Sequence, residues 1–526
     1  MKACTTETRD HPKPATFQAQ WQKAVRERPD ATFLIFLDEE EVQHQWSYAQ
    51  FDLLVSRTAG KLRALGVEGG DAVHCALRNS PAFVLIWLAA AHLGAWMVSS
   101  DPASSRKDLV SQFSRTQPRV GICAASRAEA YREASQGFPH PLIEVTEGVG
   151  DTMVESPLLG RPAPSSPVGS HQRLALMFTS GTTSTPKGVV LTQANYGLMG
   201  EAMASLANLG AEDRWFVSLP LFHGNAQFYC FAPAINRGAS VALASRFSAS
   251  RWVQQAHTVA ATHTSLFAAP IRMILARTPS DASPLHLTHA WFAQNLAPDH
   301  YDQFARMVGC LPRQLYGMTE TVSVATADMR DRPSPDIIGT PAPGREVELR
   351  DPASDQTVRH GEPGILCIRG TPGVDLFEEY LDDAERTAQA LRTDSRGTWL
   401  YTGDLVRADA QGNLHFVGRV DDVIKVGGEN VSLTEVEAHL ANAPGVLEVA
   451  VLAKDDVVLD KVPVAFVVPD GRTPPPTLAD LTAWSEENLV PSARPRQWAI
   501  VETLPRTSVG KIRRFALSAD DTEPVA

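Results

Sequence analysis

From Trp46 to Pro102 the sequence alternates between two periodicities, and no other feature limits the possible folds as strongly. Ser47 precedes a stretch whose apolar residues Phe51, Leu54, Val55, Ala59, Leu62 and Leu65 recur at helical spacing. Ser47 is a natural N-cap, and Gly66 stands where a left-handed residue ends a helix at least cost. A strand-like run, Ala72 to Leu77, follows. Next comes the apolar stretch Ala82 to Val98, interrupted by His92, in which Gly94 separates a helix from another strand-like run. That stretch is short for a membrane span and reads as a buried helix, so no membrane span is expected. Strands in series with helices imply a fold of class α/β with a mostly parallel sheet.

The chain of 526 residues exceeds what one hydrophobic core sustains, so at least two domains are expected. Prolines among small polar residues make Ser156 to Ser170 a surface connection, after which Leu174 to Phe178 reads as a strand. A second α/β block, with a long apolar segment at Ser265 to Leu275, runs to about Gly309. Beyond Arg345 the pattern turns to short strands, Val347 to Leu349, Gly364 to Ile368 and Asn413 to Val417, and then to a polar turn, Gly418 to Asp422. The remainder reads as a compact α+β unit with a helix Leu433 to Ala441 capped by Ser432. The expected division is a large domain, residues 1–420, and a small one, 421–526.

A net charge of -12 argues against a nucleic-acid partner, because such surfaces draw their affinity from lysines and arginines. The 6 cysteines form no CxxC pair, and the segment Met1 to Pro14 lacks the apolar stretch of a secretory signal. A cytoplasmic location is the expectation.

The most informative segment runs from Met177 through Thr179, Ser180, Gly181, Thr182 and Thr183 to Lys187. A strand leads into a loop of glycines and hydroxyls with one lysine, so amide and hydroxyl donors could surround polyphosphate oxygens. A P-loop requires glycine before its lysine and Ser or Thr after it, whereas Pro186 and Gly188 flank Lys187. Further along stand Leu219-Pro-Leu-Phe-His223, Leu315-Tyr316-Gly317-Met318-Thr319-Glu320-Thr321, Gly339-Thr-Pro-Ala-Pro-Gly344 and Tyr401-Thr402-Gly403-Asp404. Gly418-Arg419-Val420-Asp421-Asp422 and Leu504-Pro505-Arg506-Thr507-Ser508-Val509-Gly510-Lys511 complete the series. In this order, over nearly the whole chain, these segments resemble the acyl-adenylate-forming superfamily, which includes acyl-CoA synthetases, peptide-synthetase adenylation domains and luciferases.

The resemblance implies ATP-dependent activation of a carboxylic acid to an acyl-adenylate, then transfer to the thiol of coenzyme A. Thr179 to Thr183 and Lys187 would hold the phosphates, with Thr182 and Glu320 at Mg²⁺ and Thr319 beside them. A carboxylate is the hard oxygen ligand that Mg²⁺ accepts. Tyr316 and Gly317 would meet adenine, and Asp404 and Arg419 the ribose; by itself, Asp404 reads as a turn aspartate. Lys511 would hold the acid carboxylate and the α-phosphate, meeting developing charge with a fixed cation. His223 would gate the thiol's route. The resemblance further implies that the small domain rotates about Asp421, presenting Gly427 and Gly428, which lack a Cβ, to the pantetheine arm. Arg494 and Arg496 are candidates for the phosphates of coenzyme A.

The usual run of small residues between the histidine and tyrosine motifs reads Trp291-Phe292-Ala293-Gln294-Asn295-Leu296 here. Gln294, Asn295, Asn225 and Gln227 place amides around the acyl cavity, which favours a small polar or aromatic acid over a long fatty acid. The Asn295-Leu296 pair and Lys425-Val-Gly-Gly-Glu-Asn430 look most like carnitine/crotonobetaine-CoA ligases, with aryl-acid CoA ligases close behind. The alternative acceptor is a carrier protein or a nitrogen nucleophile. A non-catalytic binding homologue is disfavoured, since it needs no reaction lysine. The oligomeric state is left open.

Overall fold

The computed structural model describes residues 15–179, 186–279, 282–471, 474–506 and 512–524. The fold is α/β: a large N-terminal domain of several sheets and a smaller C-terminal domain.

A six-stranded sheet runs in the order Leu142–Val145, Val120–Ala124, Ala72–Ala76, Trp96–Ser100, Arg173–Thr179, Lys187–Thr192. All its pairings are parallel save the last. A nine-stranded sheet has a parallel centre in the order Arg313–Tyr316, His289–Ala293, His263–Phe267, Arg214–Val217, Ser240–Ala244, Thr32–Leu37. Packed helices cover both sheets, so their strands are apolar on both faces.

The expected elements form largely where their residues direct. Ser47 caps the helix Tyr48–Ala64 in a reciprocal box with Gln50, and Gly66 has φ +87°. Ser80 and Pro81 start the helix Pro81–Leu93, which Gly94 ends in the left-handed conformation; of its residues, all but His92 are buried. Phe17 stacks on Trp87 with centroids 4.9 Å apart. Among the described residues no helix is long and apolar enough to cross a membrane.

The connection Ser156 to Ser170 carries no regular element except its end turns, yet it is not merely superficial. Leu158 is fully buried, and Ala163 donates to the Ser56 carbonyl at 3.0 Å. The strap lies so close to the helix Tyr48–Ala64 that a Cβ on Gly60 would meet the Arg161 carbonyl oxygen at 1.7 Å.

A five-stranded antiparallel sheet comprises Glu346–Arg350, Gly364–Gly370, Leu391–Asp394, Gly397–Ala408 and Leu414–Arg419. Two local expectations are corrected here. Asp404 lies within the long strand Gly397–Ala408, not in a turn, and Gly403 at φ +75° interrupts its pairing locally. Gly418 and Arg419 likewise extend the last strand, opposite Leu405 and Asp404, so the polar turn begins only at Val420. Cross-strand pairing overrides the turn propensity of Gly-Asp and Gly-Arg sequences.

The C-terminal sheet is built from Val423–Val426, Glu429–Ser432, Val446–Asp456, Asp460–Pro469, Gln497–Ile500 and Glu523–Pro524. It has its own core, which includes Ile424, Val436, Leu440, Val451, Val467 and Trp498. The helix Leu433–Leu440 starts on Ser432 as expected.

Candidate active site

The chemistry-bearing segments leave the carboxyl ends of parallel strands, where open α/β sheets receive ligands. Leu219–His223 follows Arg214–Val217, Gln294 follows His289–Ala293, and Gly317–Thr321 follows Arg313–Tyr316. Thr179 ends one strand, and Lys187 begins its antiparallel partner directly opposite. Ser180, Gly181, Thr182 and Thr183, between those ends, lie outside the described residues, as does Lys511.

Two small networks form next to one another. In the first, the Tyr316 hydroxyl donates to Asp404 at 2.5 Å, and the Arg419 guanidinium stands 3.5 Å from the other carboxylate oxygen. Burial, then the Asp404 charge, pushes the Tyr316 phenol well above its ordinary range. Burial works against the Arg419 charge, but Asp404 and Tyr316 more than offset it and keep the guanidinium protonated. The cluster therefore offers a hydrogen-bonded carboxylate with a cation beside it, suited to paired hydroxyls.

In the second network Glu320, 4% exposed, accepts a 2.8 Å hydrogen bond from the Tyr380 hydroxyl, and its carbonyl accepts from the Phe377 amide at 3.0 Å. The Lys187 ammonium lies over the Tyr380 ring, 5.1 Å from its centroid. This is a cation–π contact that orients the lysine. Burial, then the Glu320 carboxylate, pushes the Tyr380 phenol well above its ordinary range, and the Arg419 charge opposes them.

The loop after Glu320 is strained. Val322 has φ +66° and ψ -56°, and the Ser323 amide donates back to the Thr321 carbonyl at 2.6 Å, forming the rare γ-turn of positive φ. Arg345 holds it there, donating to the carbonyls of Thr321 at 2.7 Å, Asp375 at 2.6 Å and Val324 at 3.3 Å. The Tyr229 hydroxyl lies against Gly317, where an added Cβ would meet it at 2.6 Å.

The pocket candidates diverge. Asn225 is buried; its Nδ2 donates to Ser265 at 2.9 Å, and its Oδ1 has no hydrogen-bond partner among the described residues. Gln227 is instead a core residue: fully buried, it donates to the Leu221 carbonyl at 2.6 Å and accepts from Tyr196 at 2.5 Å, so its amide is already occupied. Asn295 meets the Gln314 amide at 3.2 Å. Gln294 is exposed and adopts φ +73°, the conformation that explains why small residues are usual at that point. His223 is half-buried against Phe222, with ring centroids 4.6 Å apart.

Gly427 and Gly428, expected at the pantetheine arm, are both exposed and at positive φ. Arg494 closes the end of the helix Leu478–Asn488, donating to the Leu489 and Glu486 carbonyls at 2.9 and 2.8 Å, while Arg496 is exposed. Asp421 is exposed in the short turn Val420–Asp422.

Sequence reasoning missed Tyr380 and Arg345. Tyr380 lies in no quoted motif, and it reaches the lysine through the pairing of its segment with Gly188 to Val190. Arg345 could have been found, since it directly follows the segment Gly339 to Gly344.

Fold and site together define an α/β enzyme built from a large domain and a small one with its own core. The chain belongs to the AMP-binding enzyme family: the family profile matches residues 21–381, and that of the AMP-binding enzyme C-terminal domain matches 435–511. Its activity is that of an adenylate-forming acyl-CoA ligase. It is 31% identical to a crotonobetaine/carnitine–CoA ligase of Salmonella paratyphi A, covering 94% of this chain and 96% of that protein. The anthranilate CoA ligase AuaEII, solved with anthranoyl-AMP, superposes with a TM-score of 0.86 at 24% identity, covering 97% of this chain and 98% of that one. A benzoate CoA ligase from Burkholderia xenovorans LB400 gives 0.83 at 24% identity over 95% of this chain and 99% of that one.

Proposed function

We propose that this enzyme activates a small polar or aromatic carboxylic acid with ATP and passes the acyl group to the thiol of coenzyme A. The observation that carries the reading is that one short segment, Tyr316 to Glu320, supplies both the Tyr316–Asp404–Arg419 and the Glu320–Tyr380–Lys187 networks.

Asp404 accepts the ribose hydroxyls while Arg419 and Tyr316 fix its carboxylate. Lys187 and the loop from Thr179 receive the phosphates. Mg²⁺ fits Glu320, because Tyr380 engages one carboxylate oxygen and a carboxylate has a second. Among the described residues no trio of His, Cys, Asp or Glu could hold a metal. A cation there would draw its remaining ligands from phosphates and water, the habit of Mg²⁺, and would supply charge neutralisation between two anions. Lys511 supplies the fixed cation where acid and α-phosphate meet, and once adenylation is done it withdraws as the small domain, 421–526, turns about Asp421.

The buried Oδ1 of Asn225 supports a polar acid, since an acceptor without a partner costs stability until a donor reaches it. The relatives named for carnitine, anthranilate and benzoate are consistent with that size class. Arg494 is already engaged on helix carbonyls, which leaves Arg496 as the candidate for the phosphates of coenzyme A; the alternative acceptor is a carrier protein or a nitrogen nucleophile.

A screen of short, polar and aromatic acids by pyrophosphate release, with and without coenzyme A, tests the reading. The expected result is acid-dependent formation of AMP that coenzyme A accelerates while being consumed. AMP formation indifferent to coenzyme A would transfer the assignment to the second acceptor class. Failure of every acid to yield AMP would overturn it.

A further inference from the structure

Outside the site, one buried charge cluster spans the two domains. Arg272 sits one turn into the helix Ala268–Arg277, which leaves the carboxyl end of the strand His263–Phe267. Its guanidinium is 3.6 Å from Glu448 Oε1, and the two side chains are 18% and 9% exposed. Glu448 belongs to the strand Val446–Asp456 of the C-terminal sheet, and its other oxygen is engaged by Arg506 of the same domain. One carboxylate thus lies between two guanidinium groups, one from each domain.

The position of Arg506 gives the cluster its meaning. Arg506 pairs with Ile512 across an isolated antiparallel bridge, and the Arg513 amide donates to the Pro505 carbonyl at 2.7 Å. These contacts close the base of the segment that carries Lys511. Leu504 and Ile512 anchor that base on Ala450 and Phe466. A direct chain of contacts therefore runs from the helix Ala268–Arg277 through Glu448 to the foot of the lysine segment. The opposite candidate surface, Gly427 to Asn430, is meanwhile exposed.

We propose that Arg272, Glu448 and Arg506 form an inter-domain latch that holds the C-terminal domain against the N-terminal domain for adenylation and must open before thiolysis. This rests on the reading of Lys511 as the adenylation lysine. Arg272 is a positioning residue here, because it acts through the foot of the lysine segment. Glu448 is the keystone: it is the anion that both guanidinium groups share across the domain boundary, so its loss weakens the contact from both sides. Burial disfavours the Arg272 charge, which Glu448 supports and Arg506 opposes.

The test uses the full chain with ATP and compares Arg272→Met, which keeps the apolar stem, with Arg272→Lys. Hydrogen exchange is read at the Arg513 amide and across the helix Ala268–Arg277. The latch requires exchange at both places to rise about fivefold or more in Arg272→Met, and to stay near the parent value in Arg272→Lys, as a shifted two-state equilibrium does. Unchanged exchange at either place overturns the proposal, and so does a rise spread evenly over the C-terminal sheet, which would mean general loosening. A second arm uses benzoate, anthranilate or crotonobetaine, whichever drives pyrophosphate exchange. Arg272→Met should slow that exchange about tenfold and leave thiolysis of the matching synthetic adenylate within about twofold. If Lys511→Ala separates the two half-reactions and Arg272→Met does not, the latch is wrong; if Lys511→Ala fails to separate them, the lysine reading itself is wrong.

Discussion

At the residue scale, Asp404 derives its usefulness from its neighbours. Two charge-assisted contacts, from the Tyr316 hydroxyl and the Arg419 guanidinium, fix its carboxylate in one orientation. Tyr316→Phe removes one of them at a cost of about 2 kcal/mol, so the KM for ATP should rise roughly 30-fold while that for the acid barely moves. Steady-state kinetics with each substrate varied in turn checks this; a change in the acid term alone would place Tyr316 in the acyl pocket. A second residue-scale expectation concerns His74, which is fully buried between Gln112 at 2.8 Å and the Tyr131 hydroxyl at 2.9 Å. Burial lowers its pKa to about 4 from the usual 6.5. Since the unfolded chain binds the proton more readily, stability is complete above pH 6.5 and declines as pH falls toward 4, by about 3 kcal/mol from this group. Denaturant melts of the parent and of His74→Gln between pH 7 and 4 should differ in slope, the variant being flatter.

At the scale of elements, local signals were readable wherever the backbone had to change direction. Ser47, Ser80 and Ser432 start helices, and Gly66 and Gly94 end them, because each meets a requirement set by its own few residues. The Asp404 strand was not readable, since its geometry follows from pairing with Arg419 and Leu366's strand, distant in sequence. The strap over the helix Tyr48–Ala64 was equally hidden, although Gly60 marks it. In an isolated helix Gly60→Ala would stabilise by up to about 1 kcal/mol. Here a Cβ 1.7 Å from the Arg161 carbonyl forces backbone apart, so a net loss of about 2 kcal/mol is expected in thermal or denaturant melting. A stabilised variant would mean that the strap lies elsewhere.

At the scale of the whole molecule, two separately cored domains must supply one reaction. Lys511→Ala is expected to abolish acid-dependent pyrophosphate exchange and to spare thiolysis of a supplied adenylate, since the proposed mechanism gives each step its own arrangement of the small domain. Equal loss of both steps would contradict domain alternation. Asn225→Ala should act in neither manner. On the proposed reading it removes a buried acceptor from the acyl pocket, so selectivity between polar acids and their apolar isosteres should shift by about tenfold or more with the KM for ATP unchanged.

The sequence by itself determined the α/β class, the caps and the ordered motifs, because periodicity, capping chemistry and turn geometry act over a few neighbouring residues. Tertiary structure alone decided that Gln227 belongs to the core and that Asn225 keeps a buried acceptor with no partner among the described residues. It also brought Tyr380 between Glu320 and Lys187, and set Arg272 against Glu448. Contacts between residues far apart in the chain arise only when packing brings separate elements together, and no local pattern records which partner each will meet.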